Sequence, residues 1–330
     1  MTTDEKLAAI LAAVQTDPGN RGLARDPVEN LFTACPEDFA LAAQRIANDP
    51  GSGIAILTGF YIPTAEPPAS ETDGPLGAIR LAQTFAMLGQ KVVLITDLQT
   101  EPALIVGLRH LGLYQELVVG SERFTLDNRP RIVILTVPPP RHPWYVFQAL
   151  DWHSVLQTYA INHVVSVERV GPSRQDGRPY SMRALDLSEY TAPMHHLVEE
   201  CQRMTPRIHT VGIGDGGNEI GMGKVSWNTI HLNIQNGAQI ACRLPTDHLI
   251  VAGVSNWGAY ALAAGVCAIR EIQNSIELFD PILEKELLEL MVYEGPLVDG
   301  VTGKQSATVD GLSWDEYIRP MIRIREIVQS

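Results

Sequence analysis

Short runs of consecutive apolar, β-forming residues recur along this chain at 53–58, 91–96, 131–136, 163–168, 208–212 and 248–251. Their starts lie about 40 residues apart, too far for hairpins and long enough for a helical return, so they predict strand–helix–strand units. The run Val92-Val93-Leu94-Ile95 shows no polar alternation, as expected of a strand covered on both faces. Helical periodicity or helix-forming composition predicts helices over 76–88, 101–112, 259–272 and 282–293 in the intervals. The expected fold is a three-layer α/β/α domain with a mainly parallel sheet and glycine-rich loops at the strand carboxyl ends. Spacing alone leaves the strand order open. Ahead of the first run, Leu7, Ile10, Leu11 and Val14, then Phe39, Ala42, Ala43 and Ile46, mark amphipathic helices over 4–15 and 36–48. Residues 1–50 are therefore expected to form a helical lead-in to a single domain over 51–330.

Composition narrows the function. A chain of 330 residues with 45% hydrophobic content can bury a large core. A net charge of −13 without a basic stripe argues against nucleic acid and anionic membranes as partners. Cys35, Cys201, Cys242 and Cys267 are scattered without a C-x-x-C pair and read as reduced thiols. The start Met1-Thr2-Thr3-Asp4-Glu5-Lys6 lacks a basic targeting pattern, and no apolar run approaches the ~20 residues of a membrane span. A cytoplasmic protein with a small-molecule ligand is expected, and a homo-oligomer is left open.

The densest chemistry lies in 208–224, where six glycines fall between Gly212 and Gly223 around Asp215, Asn218, Glu219 and Lys224. Gly212, Gly214 and Gly217 satisfy G-x-G-x-x-G, but no acidic residue occurs between Glu219 and Asp247 to take a ribose. A phosphate-cradling G-x-x-x-x-G-K-[ST] fails as well, with Asn218 at its first glycine and Val225 after Lys224. No nucleotide cofactor is therefore expected. Asp215 and Glu219 remain as candidates to bind a divalent cation, Mg²⁺ or Mn²⁺, or to move a proton. The plainer alternative is an acidic turn solvated at a sheet edge.

Ligands of open α/β sheets bind beyond the strand carboxyl ends. The first such loop, 59–75, ends with Thr72, Asp73 and Gly74, where Thr72 or Asp73 is expected to cap the next helix. Free N–H groups at that helix start would accept a substrate carboxylate. The fourth run ends in Glu168-Arg169 and precedes a loop with Arg174, Arg178 and Arg183, whose guanidinium groups suit carboxylates. Ser255 or Asn256 is expected to cap the Ala-rich helix, with Trp257 either a ligand wall or a core aromatic. The adjacent His195 and His196 read as ordinary helix residues.

Together, Glu71-Thr72-Asp73-Gly74-Pro75, the glycine-rich 212–223, Thr246-Asp247-His248, Val254-Ser255-Asn256-Trp257-Gly258 and Val298-Asp299-Gly300-Val301-Thr302-Gly303 resemble the D-glutamate cyclase C-terminal domain family, in order, across 51–312. Larger members carry a further domain ahead of this one. The resemblance implies a lyase that dehydrates D-glutamate to 5-oxo-D-proline. For that chemistry Asp215 and Glu219 are expected to transfer protons, directly or through a cation. Asn218 with the N–H groups around Gly216 and Gly217 would stabilise the oxyanion. The Thr72-Asp73-Gly74 turn, with Arg183 or Lys224, would hold carboxylates, and Asp299 or Glu168 the ammonium. Asn256 and Trp257 complete the expected substrate contacts. The alternatives are a related hydro-lyase or cyclase on another amino or hydroxy acid, and a non-catalytic module that binds an acidic metabolite.

Overall fold

The computed structural model describes residues 1–114, 132–145, 151–272 and 275–330. The chain runs through α1 (Thr3–Val14), α2 (Asp38–Ala47), β1 (Gly53–Thr58), β2 (Tyr61–Ile62), β3 (Ala69–Ser70), α3 (Pro75–Met87), β4 (Lys91–Asp97), α4 (Glu101–His110) and β5 (Ile132–Val137). It continues with α5 (Trp152–Thr158), β6 (Ile161–Val167), α6 (His195–Arg203), β7 (His209–Gly214), α7 (Trp227–Asn233), α8 (Gly237–Ile240), β8 (His248–Val251), α9 (Ser255–Ile269), α10 (Pro281–Tyr293) and α11 (Trp314–Gln329). All six expected runs supply a strand. Residue 131, the expected start of the third, lies outside the described residues.

The main sheet has the order β5-β4-β1-β6-β7-β8, and every neighbouring pair is parallel. From the central β1 the chain first builds outward through β4 to β5, then returns to lay down β6, β7 and β8 on the other side. The reversal at β1 and β6 is the switch point of a doubly wound sheet, where loops diverge and leave a crevice. The antiparallel ribbon β2–β3 leaves β1 beside it.

Alternate residues of each strand face opposite cores, as the pleat requires. Ile54 and Ile56 join one cluster with α1, α2, α3, α9, α10 and α11. Ala55 and Leu57 join the other with residues of α5, α6, α7 and α8. The three-layer α/β/α arrangement expected from the sequence is observed. Helix α9 is buried from Ser255 through Cys267, which explains a sequence apolar on all sides. Helices α1 and α2 pack on it through Leu7, Ile10, Val14, Phe39, Ala42 and Ala43. The lead-in thus shares the core of the sheet, and the loop between α1 and α2 reaches the crevice.

Candidate active site

Two helix starts, those of α3 and α9, meet at the crevice and cap each other. Asn256 Oδ1, in the first turn of α9, accepts from the N–H groups of Gly74 and Gly77 at 2.8 Å each. Asp73, just before α3, accepts from Ser255 N–H at 2.9 Å and Asn256 N–H at 2.7 Å. Each helix takes its cap from the other because the two pack closely: a Cβ on Gly77 would lie 2.7 Å from Ala259 Cβ. The capping residues were readable; their partners were not, since both expected local caps are exchanged across 182 residues of sequence. The exchange also corrects the expectation that the α3 start receives a substrate carboxylate, because its N–H groups at Gly74 and Gly77 are already taken. Asn256→Ala leaves Gly77 N–H without its acceptor, while Gly74 N–H keeps its bond to Asp73 Oδ1, and a loss of ~1–2 kcal/mol is expected in the urea unfolding free energy.

Asp73 also contributes to a wall of carboxylates. Its ligand oxygen, one from Glu168 and one from Asp215 lie within 4.8 Å of one another. Glu168 follows β6 with φ of 47°, a left-handed conformation rare outside glycine, and its carboxylate accepts from Ser255 Oγ. Asp215 follows β7. Glu71 and Asp310 add two further carboxylates, and all five residues are at most 8% exposed.

Arg21 is the cation among them. Its Nη1 lies 2.5 Å from Asp215 Oδ1 and its Nη2 2.6 Å from Asp310 Oδ1. The turn that delivers it is organised by Asp17, whose carboxylate accepts from the N–H groups of Arg21, Gly22 and Leu23 at 2.9–3.1 Å. One guanidinium does not balance this much buried acid. Burial, followed by the charges of Asp310 and Asp215, holds Glu71 and Asp73 well above the usual carboxylate range. Burial followed by Asp215 and Glu219 does the same to Glu168. Burial pushes Asp215 up to about 6 against the pull of Arg21, and Asp310 up to about 7. Among the described residues, three oxygens here have no hydrogen-bond partner: Asp215 Oδ2, Asn218 Oδ1 and Asp310 Oδ2.

The wall closes one side of a cavity of about 640 Å³. Phe60, Tyr61, Ile62, Leu185 and Leu187 give it apolar surface, and the exposed Arg25 and Arg183 add positive charge to its lining. Arg183 Nη2 donates to Val301 O at 2.8 Å. The cavity therefore offers anion-binding groups alongside a carboxylate wall, an arrangement suited to a ligand with both signs of charge.

The expected site residues divide accordingly. Asp215, Asn218, Glu168 and Arg183 line the cavity, and Asp73 stands behind it in the wall. Glu219 differs from expectation: its two oxygens accept from Asp215 N–H at 3.1 Å and Gly217 N–H at 2.8 Å. It holds the glycine loop in shape, and the oxygens grouped with that of Asp215 within 4.8 Å are those of Asp73 and Glu168. The same bonds remove two loop N–H groups from the expected oxyanion contacts. Gly216 has a packing reason to be glycine, since a Cβ would lie 2.6 Å from Met182 Sδ and 2.7 Å from Asn218 Oδ1.

Lys224 points elsewhere, 2.5 Å from Asp38 Oδ2, and bonds Asp247 O just before β8, at the opposite edge of the sheet. Trp257 is a core aromatic, 1% exposed, donating to Tyr317 O. Thr72 donates to Thr308 O. Asp299 accepts from the N–H groups of Val301, Thr302 and Gly311 and from Thr308 Oγ1, which leaves little capacity for an ammonium. Of the other arginines weighed as clamps, Arg169 is a buried partner of Asp97, and Arg178 pairs with Asp186 on the surface.

Arg21, Arg25, Glu71 and Asp310 were missed as site residues. The signal for Arg21 was present in Asp17-Pro18-Gly19-Asn20-Arg21-Gly22, a turn-rich hexapeptide too elaborate for a simple helix stop. Asp310-Gly311 repeats the acid–glycine pairing of Asp299-Gly300.

A doubly wound parallel sheet with a carboxylate-walled cavity at its switch point defines the protein's class. Residues 10–324 match the family model described as D-glutamate cyclase-like, C-terminal, and the chain belongs to that family. It is 29% identical over 344 aligned positions to the human protein named "D-glutamate cyclase, mitochondrial", an alignment covering 98% of this chain and 52% of that relative. The chain thus spans about half the length of the curated relative it matches. The family match takes in the Arg21 turn, which lies ahead of the 51–312 stretch carrying the resembling motifs.

Proposed function

We propose that this protein is a lyase that cyclises D-glutamate to 5-oxo-D-proline, releasing water. The observation that carries the reading is the cavity, with unpartnered carboxylate and amide oxygens on one wall and arginines elsewhere in its lining. Family membership and the human relative's name supply the substrate.

In the reaction the α-nitrogen attacks the distal carboxyl carbon, a C–N bond forms and a C–O bond breaks. Of the three ammonium protons one stays on the lactam nitrogen, and two leave with the departing oxygen as water. Asp215 and Asp310 present oxygens that can receive the ammonium and take its proton. Arg183 and Arg25 suit the substrate carboxylates. Arg21, between Asp215 and Asp310, fixes the acids and supplies positive charge near the developing oxyanion. Holding the chain folded supplies several kcal/mol more, because the attack is intramolecular. The lead-in over 1–50 belongs in this reading to the same working unit as 51–330, since its loop carries Arg21. No described helix is long and apolar enough to cross a membrane, and we assign the chain to the cytoplasm on its composition.

Thermal shift with D-glutamate, L-glutamate and 5-oxo-D-proline, followed by proton NMR of the same mixtures, tests the proposal. Stabilisation by D-glutamate with lactam appearing supports it. Stabilisation with no lactam turns the protein into a binding module for an acidic metabolite.

A further inference from the structure

We propose that Asp73, Glu168 and Asp215 form a binding site for one divalent, oxygen-preferring cation on the inner wall of the cavity. The site deepens the functional reading and rests on it only for the cation's purpose, not for its binding.

The three side chains come from the β1-to-α3 connection and from the loops after β6 and β7, strands adjacent in the order β1-β6-β7, so the sheet itself brings them together. Their ligand oxygens lie within 4.8 Å of one another, a separation that a cation with metal–oxygen distances of ~2.1–2.4 Å can bridge. Each is already oriented from behind. Asp73 is held by the N–H groups of Gly74, Ser255 and Asn256, Glu168 by Ser255 Oγ, and Asp215 by Arg21. Outer contacts of this kind fix ligand direction in metal sites.

An independent sign of a missing partner comes from the oxygens themselves. Asp215 is 1% exposed, and its Oδ2 has no hydrogen-bond partner among the described residues. One of its carboxylate oxygens lies within 4.8 Å of an Asp73 oxygen, acceptor facing acceptor unless a proton or cation lies between them. Asp310 Oδ2 and Asn218 Oδ1 are unpartnered in the same wall. Charge points the same way. Arg21 contacts Asp215 and Asp310 and is influenced by the charges of Asp73, Glu168 and Glu71, whereas the buried Arg169 and Arg80 are occupied by Asp97 and Glu284. The donor set contains no thiolate or imidazole, so it selects Mg²⁺, Mn²⁺ or Ca²⁺ over softer ions. With Asp215 engaged by the cation, Asp310 Oδ2 is left for the substrate ammonium.

Mn²⁺ binding to the chelator-treated full chain, followed by loss of the free-ion electron paramagnetic resonance signal, tests the site. One equivalent is expected to bind, and Glu168→Gln and Asp215→Asn are each expected to weaken it by at least about tenfold. His196→Gln serves as the control, because His195, His196 and Glu199 also bring ligand atoms within 4.8 Å on α6. Glu199 is there engaged by Arg243 at 3.2 Å, and that substitution is expected to leave binding unchanged. Circular dichroism of each variant separates misfolding from ligand loss, and the two ligand positions are independent. No binding at 1 mM Mn²⁺, binding indifferent to both folded carboxylate variants, or binding lost in His196→Gln overturns the site. Lactam formation without Mn²⁺ binding removes the cation alone; Mn²⁺ binding without lactam removes the reaction and leaves the site.

Discussion

Asp215→Asn is expected to lower kcat for lactam formation by roughly 10²–10⁴, the range for loss of a group that handles protons or charge at the reacting centre. The substitution preserves shape. Asparagine keeps an oxygen that can accept from Arg21, whose Nη1 lies 2.5 Å from Asp215 Oδ1, while the charge behind the unpartnered Oδ2 disappears. The loss is therefore expected in kcat with the fold intact. Steady-state kinetics beside circular dichroism checks this, and an Asp215→Asn protein that turns over normally removes the residue from the chemistry.

The second large effect belongs to Arg21, and it falls on stability as well as activity. Removing one member of a buried ion pair leaves its partners charged without compensation, at a cost of about 3–5 kcal/mol. Here Asp215 and Asp310 would both lose their guanidinium, whose side chain is only 15% exposed. Arg21→Met is expected to lower Tm by roughly 5 °C for a chain of this size, since unfolding entropy scales with length. The paired control is Arg178→Met, whose partners Asp176 and Asp186 lie in an exposed loop, and a shift below ~1 °C is expected there. Equal shifts in the two variants would mean that Arg21 is another surface charge and that the acidic wall is not built around it.

These two residues show how far the sequence can be read. Asp215 was legible because a glycine-dense loop after an apolar strand has few uses besides bringing backbone and carboxylate to a ligand. The sheet was legible for a similar reason: unalternating, β-branched runs such as Val92-Val93-Leu94-Ile95, recurring about every 40 residues, fit strands buried on both faces. Arg21 was not legible as a site residue. Its partners lie 194 and 289 positions away, and its own turn looks like the end of a helix until the fold brings α1 against α9. The helix caps mark the boundary between the two cases. Asp73 and Asn256 were identified as capping types at the right helix starts, but only the packing of α3 on α9 exchanges their targets. Glu219 and Lys224 are the opposite case, since their other bonds could not be read from sequence. Their charge suggested chemistry, yet Glu219 serves two N–H groups of its own loop, and Lys224 ties that loop to Asp38 of α2 and to Asp247 O. Residue type and spacing indicate which groups are available for chemistry. Whether an oxygen is already bonded is a three-dimensional property, and it separates Asp215 from Glu219 four residues away.

The most direct measurement is a chiral assay of the purified protein with D-glutamate and L-glutamate, resolving the two enantiomers of 5-oxoproline against an enzyme-free control. The account predicts 5-oxo-D-proline from the D-isomer and none above control from the L-isomer. No lactam from either isomer, with Mg²⁺ or Mn²⁺ supplied, would contradict it and reassign the cavity to another amino or hydroxy acid or to ligand binding alone.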